Sequence, residues 1–280
     1  MKEKISKLFG DSGKAVYIPI DHGIGGVKKG LENPIEILET LVSCGIDGTL
    51  MQYGLAKQTI SIFEKNPAIK KIIALDYRHY WKIPGFNDGL YDCFQYATVK
   101  QAIDLNCDAV KVMVPYGENN EFTIKALKIV ASVLKEASEY KVPVMVEPLP
   151  TNNCDIKYKN NFEVLNNIVR ISYELGADLL KIPYIGTKEE FSKMVKDCPV
   201  PIMVLGGSPT DINELFIRTE EIIKTGSKGV VFGRNVWGHP QMKGVVKGLI
   251  EIVHHNANPS EVVKKYNLIG KSTATDSYAF

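Results

Sequence analysis

Leu175-Gly176-Ala177-Asp178-Leu179-Leu180-Lys181-Ile182 carries the chain from the end of a helical stretch into a short apolar run. The same passage recurs in Cys44-Gly45-Ile46-Asp47-Gly48, Leu105-Asn106-Cys107-Asp108-Ala109 and Thr225-Gly226-Ser227-Lys228-Gly229. Gly45, Gly176 and Gly226 each sit where a helix ends, the position at which a glycine closes the last turn. The residues after each glycine are rich in β-branched and apolar types, which favours a strand.

Working outward from this passage gives eight such runs: Ala15–Ile20, Gly48–Gln52, Ile72–Leu75, Ala109–Val114, Val144–Val146, Leu179–Ile182, Ile202–Leu205 and Gly229–Phe232. Their starts lie roughly 20 to 40 residues apart, enough for a strand, a crossover helix and two loops. The intervening stretches have helical spacing. Asn33-Pro34 offers a capping side chain and then a proline at the first helical position. In Glu121–Tyr140 the residues Ile124, Leu127, Val130, Leu134 and Ala137 recur at three and four. Phe162–Leu175 and Asp211–Thr225 behave in the same way.

Eight β-α units in this length predict a single (β/α)8 barrel over residues 1–255. The remaining 256–280 form a polar tail. The continuous apolar runs suit parallel strands covered by helices. An open, doubly wound sheet is the competing architecture, but Gly23-Ile24-Gly25-Gly26-Val27-Lys28 lacks the third glycine of a dinucleotide fingerprint. Gly10-Asp11-Ser12-Gly13-Lys14-Ala15 is not a Walker loop either.

Composition excludes other classes. The chain has 280 residues, of which 45% are hydrophobic, and 34 Lys+Arg against 32 Asp+Glu leave a formal charge of +2. That balance gives no support for nucleic-acid or membrane-surface binding. No run reaches the roughly 18 apolar residues of a membrane span. The charged N-terminus, Met1-Lys2-Glu3-Lys4, does not read as a signal peptide. Five scattered cysteines with no C-x-x-C pair fit buried free thiols in a reducing compartment. A cytoplasmic protein is expected.

In a barrel, chemistry gathers at the C-terminal ends of the strands. The fourth and sixth runs carry Lys111 and Lys181 among apolar residues, and the fifth strand, read on as Val144-Met145-Val146-Glu147-Pro148, carries Glu147 between them. A buried ammonium either finds a carboxylate or loses its proton. Adjacent strands lie roughly 4.8 Å apart, so these three side chains can meet if all point inward. Such a cluster suits imine chemistry, in which a neutral amine attacks a carbonyl. Either lysine can be the nucleophile on these grounds. Glu147 and Asp21 are candidates for moving protons, and His22 for contacting the substrate or its phosphate; Asp21 also suits a turn cap, and His22 a hydrogen bond within its loop. Asp76, Arg78 and His79 come after the third run and are candidates for the rim. Tyr53, Tyr116 and Tyr184 read as wall or packing residues.

A second cluster is an anion site. Gly206-Gly207-Ser208 ends the seventh run and Gly233-Arg234 the eighth, where many barrels bind phosphate. Glycines let backbone N–H groups approach phosphate oxygens, and Arg234 adds a bidentate contact. No cluster has metal-ligand spacing, so no metal or other cofactor is expected.

These residues resemble the lysine-dependent, imine-forming aldolases of the deoxyribose-phosphate and fructose-bisphosphate aldolase superfamily. Asp21-His22-Gly23, Ala177-Asp178-Leu179-Leu180-Lys181 and Gly229-Val230-Val231-Phe232-Gly233-Arg234-Asn235 are similar to the archaeal-type fructose-bisphosphate branch. The resemblance implies that Lys181 forms the Schiff base and that Gly206, Gly207, Gly233 and Arg234 hold phosphate. There are two departures. That branch has a Tyr-Pro-Arg-Gly phrase after the fifth strand, where this chain has Leu149-Pro150-Thr151-Asn152. Leu205 likewise stands where a serine is common. Lys111 and Glu147 instead resemble the tagatose-bisphosphate and sulfofructose-phosphate aldolase branch.

The resemblance implies an aldehyde-lyase acting on a phosphorylated ketose or a dihydroxyacetone phosphate-like substrate, assembled as a homo-oligomer. Two rivals keep the barrel. One is a transaldolase-type synthase or thiolase-like transferase. The other is a non-covalent sugar-phosphate isomerase or binding protein, with Lys111, Glu147 and Lys181 a structural ion-pair network.

Overall fold

The structure is a computed structural model that describes residues 1–79, 92–117, 120–150 and 160–274. Ten strands occur among them: β1 (Ala15–Tyr17), β2 (Gly48–Gln52), β3 (Lys70–Ala74), β4 (Asp76–His79), β5 (Asp92–Gln95), β6 (Ala109–Tyr116), β7 (Val144–Pro150), β8 (Leu179–Ile182), β9 (Ile202–Leu205) and β10 (Gly229–Val231). Eight of them close a parallel barrel in the order β1-β10-β9-β8-β7-β6-β3-β2. The (β/α)8 architecture expected from the repeat is therefore present.

Alternation along the strands builds the interior. Tyr17, Leu50, Ile72, Ala109, Met145, Leu179, Met203 and Val231, one from each barrel strand, form a sealed apolar layer with Leu8. Tyr17 donates its hydroxyl to the Leu8 carbonyl at 2.9 Å, fixing the N-terminal segment beneath the barrel. The alternate residues, among them Val16, Ile73, Val110, Val146, Leu180 and Val204, face outward into the larger core shared with the helices. At the β1–β10 seam only glycine fits: Gly229 has φ of 138°, and a Cβ there would lie 1.9 Å from the Ala15 carbonyl oxygen.

The repeated helix-to-strand phrase has a structural job at the N-terminal face. Asp47, ahead of β2, accepts the Val16 N–H of β1 at 2.6 Å. Asp108, ahead of β6, accepts the Lys71 N–H of β3 at 2.8 Å. Asp178, ahead of β8, accepts the Val144 N–H of β7 at 2.9 Å. Each carboxylate thus satisfies a strand-end donor of the preceding strand. Gly45, Gly176 and Gly226 all have positive φ, and Asn106 takes the same conformation in the fourth phrase.

The structure departs from the sequence reading at three places. Asp76–His79 does not extend the third barrel strand; it pairs antiparallel with β5 as a separate ribbon. Its period-two pattern buries Asp76 and Arg78 and turns Tyr77 onto Phe94 at 5.2 Å. The fifth strand runs through Glu147 and Pro148 as expected but continues to Pro150, which stands in register with Tyr116. The helix Asn120–Tyr140 buries Phe122, Ala126, Val130, Val133 and Ala137, while Ile124 is exposed. The helical period holds, but the buried stripe is rotated.

Beyond Asn256 the chain docks. A helix at Pro259–Lys265 packs on the helix Ile212–Lys224. Ser272 donates to the Arg234 carbonyl, and the Thr273 N–H donates to the Gly238 carbonyl at 2.8 Å. Residues 275–280 lie outside the described residues. Among those described, no helix is long and apolar enough to cross a membrane.

Candidate active site

Two residues above each member of the sealed layer, the next inward position opens the site. From Ala109, Met145 and Leu179 the next inward residues are Lys111, Glu147 and Lys181. Period-two alternation therefore places all three on a hydrophobic floor. Glu147 receives both cations: its Oε2 lies 2.7 Å from Lys111 Nζ, and its Oε1 lies 2.8 Å from Lys181 Nζ. Asp21, at the start of a short 3-10 turn after β1, places Oδ2 3.8 Å from Lys111 Nζ. Its Oδ1 meets His22 Nδ1 at 3.2 Å. All four charged side chains are buried, with exposures of 4% for Lys111, 4% for Glu147, 5% for Lys181 and 7% for Asp21.

Burial alone would neutralise Lys111, Glu147 and Asp21, and their neighbours reverse it. Burial pushes the Lys111 ammonium toward deprotonation, but Glu147 and Asp21 hold it charged, so its pKa lies above the ordinary lysine value. Burial raises the Glu147 carboxyl, yet Lys111 and Lys181 together keep it below the usual range. Asp21 is held well below that range despite burial, by its hydrogen bond to His22 and by both lysines. Burial shifts His22 downward toward the neutral imidazole.

A cavity of about 350 Å³ opens above this cluster at the C-terminal ends of the strands. Lys181, Glu147, Asp21 and His22 line it, and so do Gly206, Gly207, Gly233 and Arg234. Lys111 does not; it lies behind Glu147. The two groups of residues read from the sequence thus share one chamber of small-ligand size.

The glycine loops are held by side chains whose roles no motif announces. Asn235 donates to the carbonyls of Gly206 at 3.3 Å and Ser208 at 3.2 Å, and accepts the Thr210 N–H at 2.9 Å. Trp237 donates its indole N–H to the Pro19 carbonyl at 3.1 Å and meets His22 edge-on at 5.6 Å. A Cβ on Gly206 would lie 3.0 Å from the Phe232 ring, and one on Gly233 would lie 3.1 Å from the Pro19 carbonyl. Both loops approach their neighbours so closely that a side chain would require them to shift. Gly207 has φ of 68°.

Tyr184 and Arg218 also line the cavity. Arg218 is half-buried, lies over the Tyr184 ring at 5.9 Å and donates to its carbonyl at 3.4 Å. Tyr184 is thus a wall residue, as its sequence position suggests, whereas Arg218 carries no motif. Leu149 and Leu205, where the family pattern has other residues, form part of the wall together with Pro150. Asp76 and Arg78 pair with each other at 2.5 Å under the ribbon and do not line the cavity. The His79 side chain, Thr151 and Asn152 lie outside the described residues.

Comparison with known proteins agrees with this geometry. The family model described as DeoC/LacD family aldolase matches residues 15–239. An uncharacterized aldolase of Saccharolobus solfataricus is 32% identical over 267 residues, covering 93% of this chain and 97% of that protein. A 2-amino-3,7-dideoxy-D-threo-hept-6-ulosonate synthase of Archaeoglobus fulgidus is 31% identical over 263 residues, covering 94% of each chain. An archaeal fructose-1,6-bisphosphate aldolase, solved with its catalytic lysine covalently bound to the carbinolamine intermediate of the substrate, superimposes with a TM-score of 0.76 at 26% identity. That match covers 90% of this chain and 98% of that one. On the family match and these two curated relatives, the chain belongs to the DeoC/LacD family of aldolases.

Proposed function

We propose that this chain is a class I aldolase that makes or breaks a carbon–carbon bond in a phosphorylated ketose through an imine on Lys181. The observation that carries the reading is the unequal pairing of the two lysines. Lys111 lies between Glu147 and Asp21, which fix its positive charge. Lys181 meets Glu147 and lines the cavity. The lysine that faces substrate is therefore the better nucleophile, in agreement with the resemblance.

The distances suggest the steps. Glu147 Oε1, 2.8 Å from Lys181 Nζ, takes the proton that the amine must lose to attack the carbonyl. It returns a proton to the carbinolamine oxygen, which leaves as water and gives the imine. Removal of a proton from the substrate hydroxyl, by Glu147 or Asp21, breaks the carbon–carbon bond. An aldehyde is released, and the electron pair is left as an enamine on Lys181. Protonation of the enamine carbon and hydrolysis free the second product. The buried Lys111 charge keeps Glu147 ionised between steps. Backbone N–H groups at Gly206, Gly207 and Gly233, with Arg234, orient the phosphate so that the carbonyl stands over Lys181. These residues complete the cycle by covalent and proton chemistry, and the reading assigns no cofactor.

Borohydride reduction in the presence of dihydroxyacetone phosphate tests this. The expected result is a single reduced adduct, mapped by mass to Lys181 and absent from Lys181→Met. An adduct that persists in Lys181→Met overturns the assignment.

A further inference from the structure

Ser12, Asp47 and His254 meet at the face of the barrel opposite the cavity, and the imine chemistry on Lys181 uses none of them. His254 and its neighbour His255 read in sequence as part of a solvated helix end. The His254 side chain is instead 13% exposed and tucked against Asp47. Its Nδ1 lies 2.7 Å from Ser12 Oγ, and its Nε2 lies 2.8 Å from Asp47 Oδ2. That carboxylate oxygen also accepts the Val16 N–H.

These partners set the proton positions. An ionised carboxylate only accepts, so Nε2 carries the imidazole proton. When the ring is neutral, Nδ1 is then an acceptor to which the Ser12 hydroxyl donates. A hydroxyl on a neutral imidazole whose other nitrogen is held by a carboxylate is the arrangement that activates serine. The base is whichever nitrogen lacks the proton, so the use of Nδ1 in this role leaves the chemistry unchanged.

The surroundings hold the relay and leave it open. A Cβ on Gly10 would lie 2.9 Å from Asp47 Oδ1 and 3.2 Å from His254 Cε1, so the loop rests directly on the pair. The Gly13 N–H closes the turn onto the Gly10 carbonyl at 2.8 Å, and the Lys14 N–H lies 3.3 Å from Ser12 Oγ. Ser12 is exposed, and a Cβ on Gly13 would meet nothing within 4 Å. A small acyl donor reaches the hydroxyl unobstructed.

We infer that Ser12 is an activated nucleophile, forming a second reactive site that accepts acyl groups from small activated esters. Ser12 Oγ bonds to the acyl carbon while its proton passes to His254 Nδ1. The ester C–O bond breaks, and the alcohol leaves with that proton. Water then attacks the acyl carbon and gives a proton to His254 Nδ1; the bond to Ser12 Oγ breaks, Ser12 takes that proton back, and the carboxylic acid leaves. The open surface around the turn suits small donors and makes no selection among acyl chains.

The test treats the full chain with an alkyl fluorophosphonate and with p-nitrophenyl acetate, and maps adducts by peptide mass. Ser6 and Ser43 are controls within the same molecule, because their hydroxyls donate to the backbone carbonyls of Glu3 and Thr40. The expected result is modification of Ser12 and not of Ser6 or Ser43, slowed by roughly a hundredfold or more in His254→Asn. Asparagine supplies no base at this position. Modification of the three serines at equal rates, no modification of Ser12, or an undiminished rate in a folded His254→Asn protein overturns the proposal.

Discussion

Glu147 holds Lys111 on one carboxylate oxygen and Lys181 on the other, at 2.7 and 2.8 Å, so a single buried anion is shared by two buried cations. Replacing it with glutamine keeps the shape and removes the charge. Glu147→Gln is expected to lower turnover by roughly a hundredfold to ten-thousandfold, the range of a lost general acid-base group. KM for the phosphorylated substrate should change far less, because the phosphate loops are untouched. Steady-state kinetics of cleavage measure both. Turnover within threefold of the wild type would rule out a proton-transfer role.

Lys111→Met separates the two lysines. The variant should still give the reduced adduct on Lys181, formed more slowly because Glu147 loses a cation that keeps it ionised. Removing one partner of a buried ion pair costs about 3–5 kcal/mol, so the midpoint of urea unfolding should fall as well. Complete loss of the adduct in a folded variant would instead make Lys111 the nucleophile.

Arg234→Ala tests the anion site. A hydrogen bond to a charged group contributes about 1.5–3 kcal/mol. KM should therefore rise roughly tenfold to a hundredfold for a phosphorylated ketose. The same sugar without phosphate should be processed equally by both proteins. An equal loss on both substrates would mean that Arg234 supports the loop and not the phosphate.

Stability should depend on pH in two limbs whose signs are set by the shifts. Asp21 and Glu147 are lowered in the fold, so they contribute above the ordinary carboxylate value of about 4. That contribution is lost as pH falls through their lower folded values. His22, also lowered, contributes above about 6.5 and begins the acid loss earlier. Lys111 is raised, so its contribution is complete below about 10.4 and is lost as pH rises through its higher folded value. Thermal unfolding from pH 3 to 11 should show a broad maximum between these limbs. A midpoint that climbs as pH drops below 5 contradicts these assignments.

Much of the barrel is legible in the sequence because the period of the chain is coarse and repeated. The phrase around Gly176 and Asp178 appears four times, and its glycines, at Gly45, Gly176 and Gly226, close helix ends locally. Lys111, Glu147 and Lys181 are legible because charge inside an apolar run is conspicuous. The ribbon of β4 and β5 is not, because Asp76-Tyr77-Arg78-His79 continues directly from an apolar strand and its partner is distant in sequence. Asn235, Trp237 and Arg218 escape a sequence reading for a related reason. Each acts through contacts across separate βα units, and no local spacing encodes a hydrogen bond from Asn235 to Gly206. The Ser12–His254 contact spans 242 residues and is hidden in the same way.

The layer from Tyr17 to Val231, sealed from below by Leu8, makes the chamber a cul-de-sac. In the proposed reaction, fragments of a cleaved substrate would have one exit, and the piece bonded to Lys181 would be held on the chamber floor. Departure should then be last in, first out: the free aldehyde leaves before the tethered fragment. A second aldehyde can occupy the vacated mouth in the interval. Product-inhibition patterns should accordingly be those of an ordered sequence, with the aldehyde as the first product released.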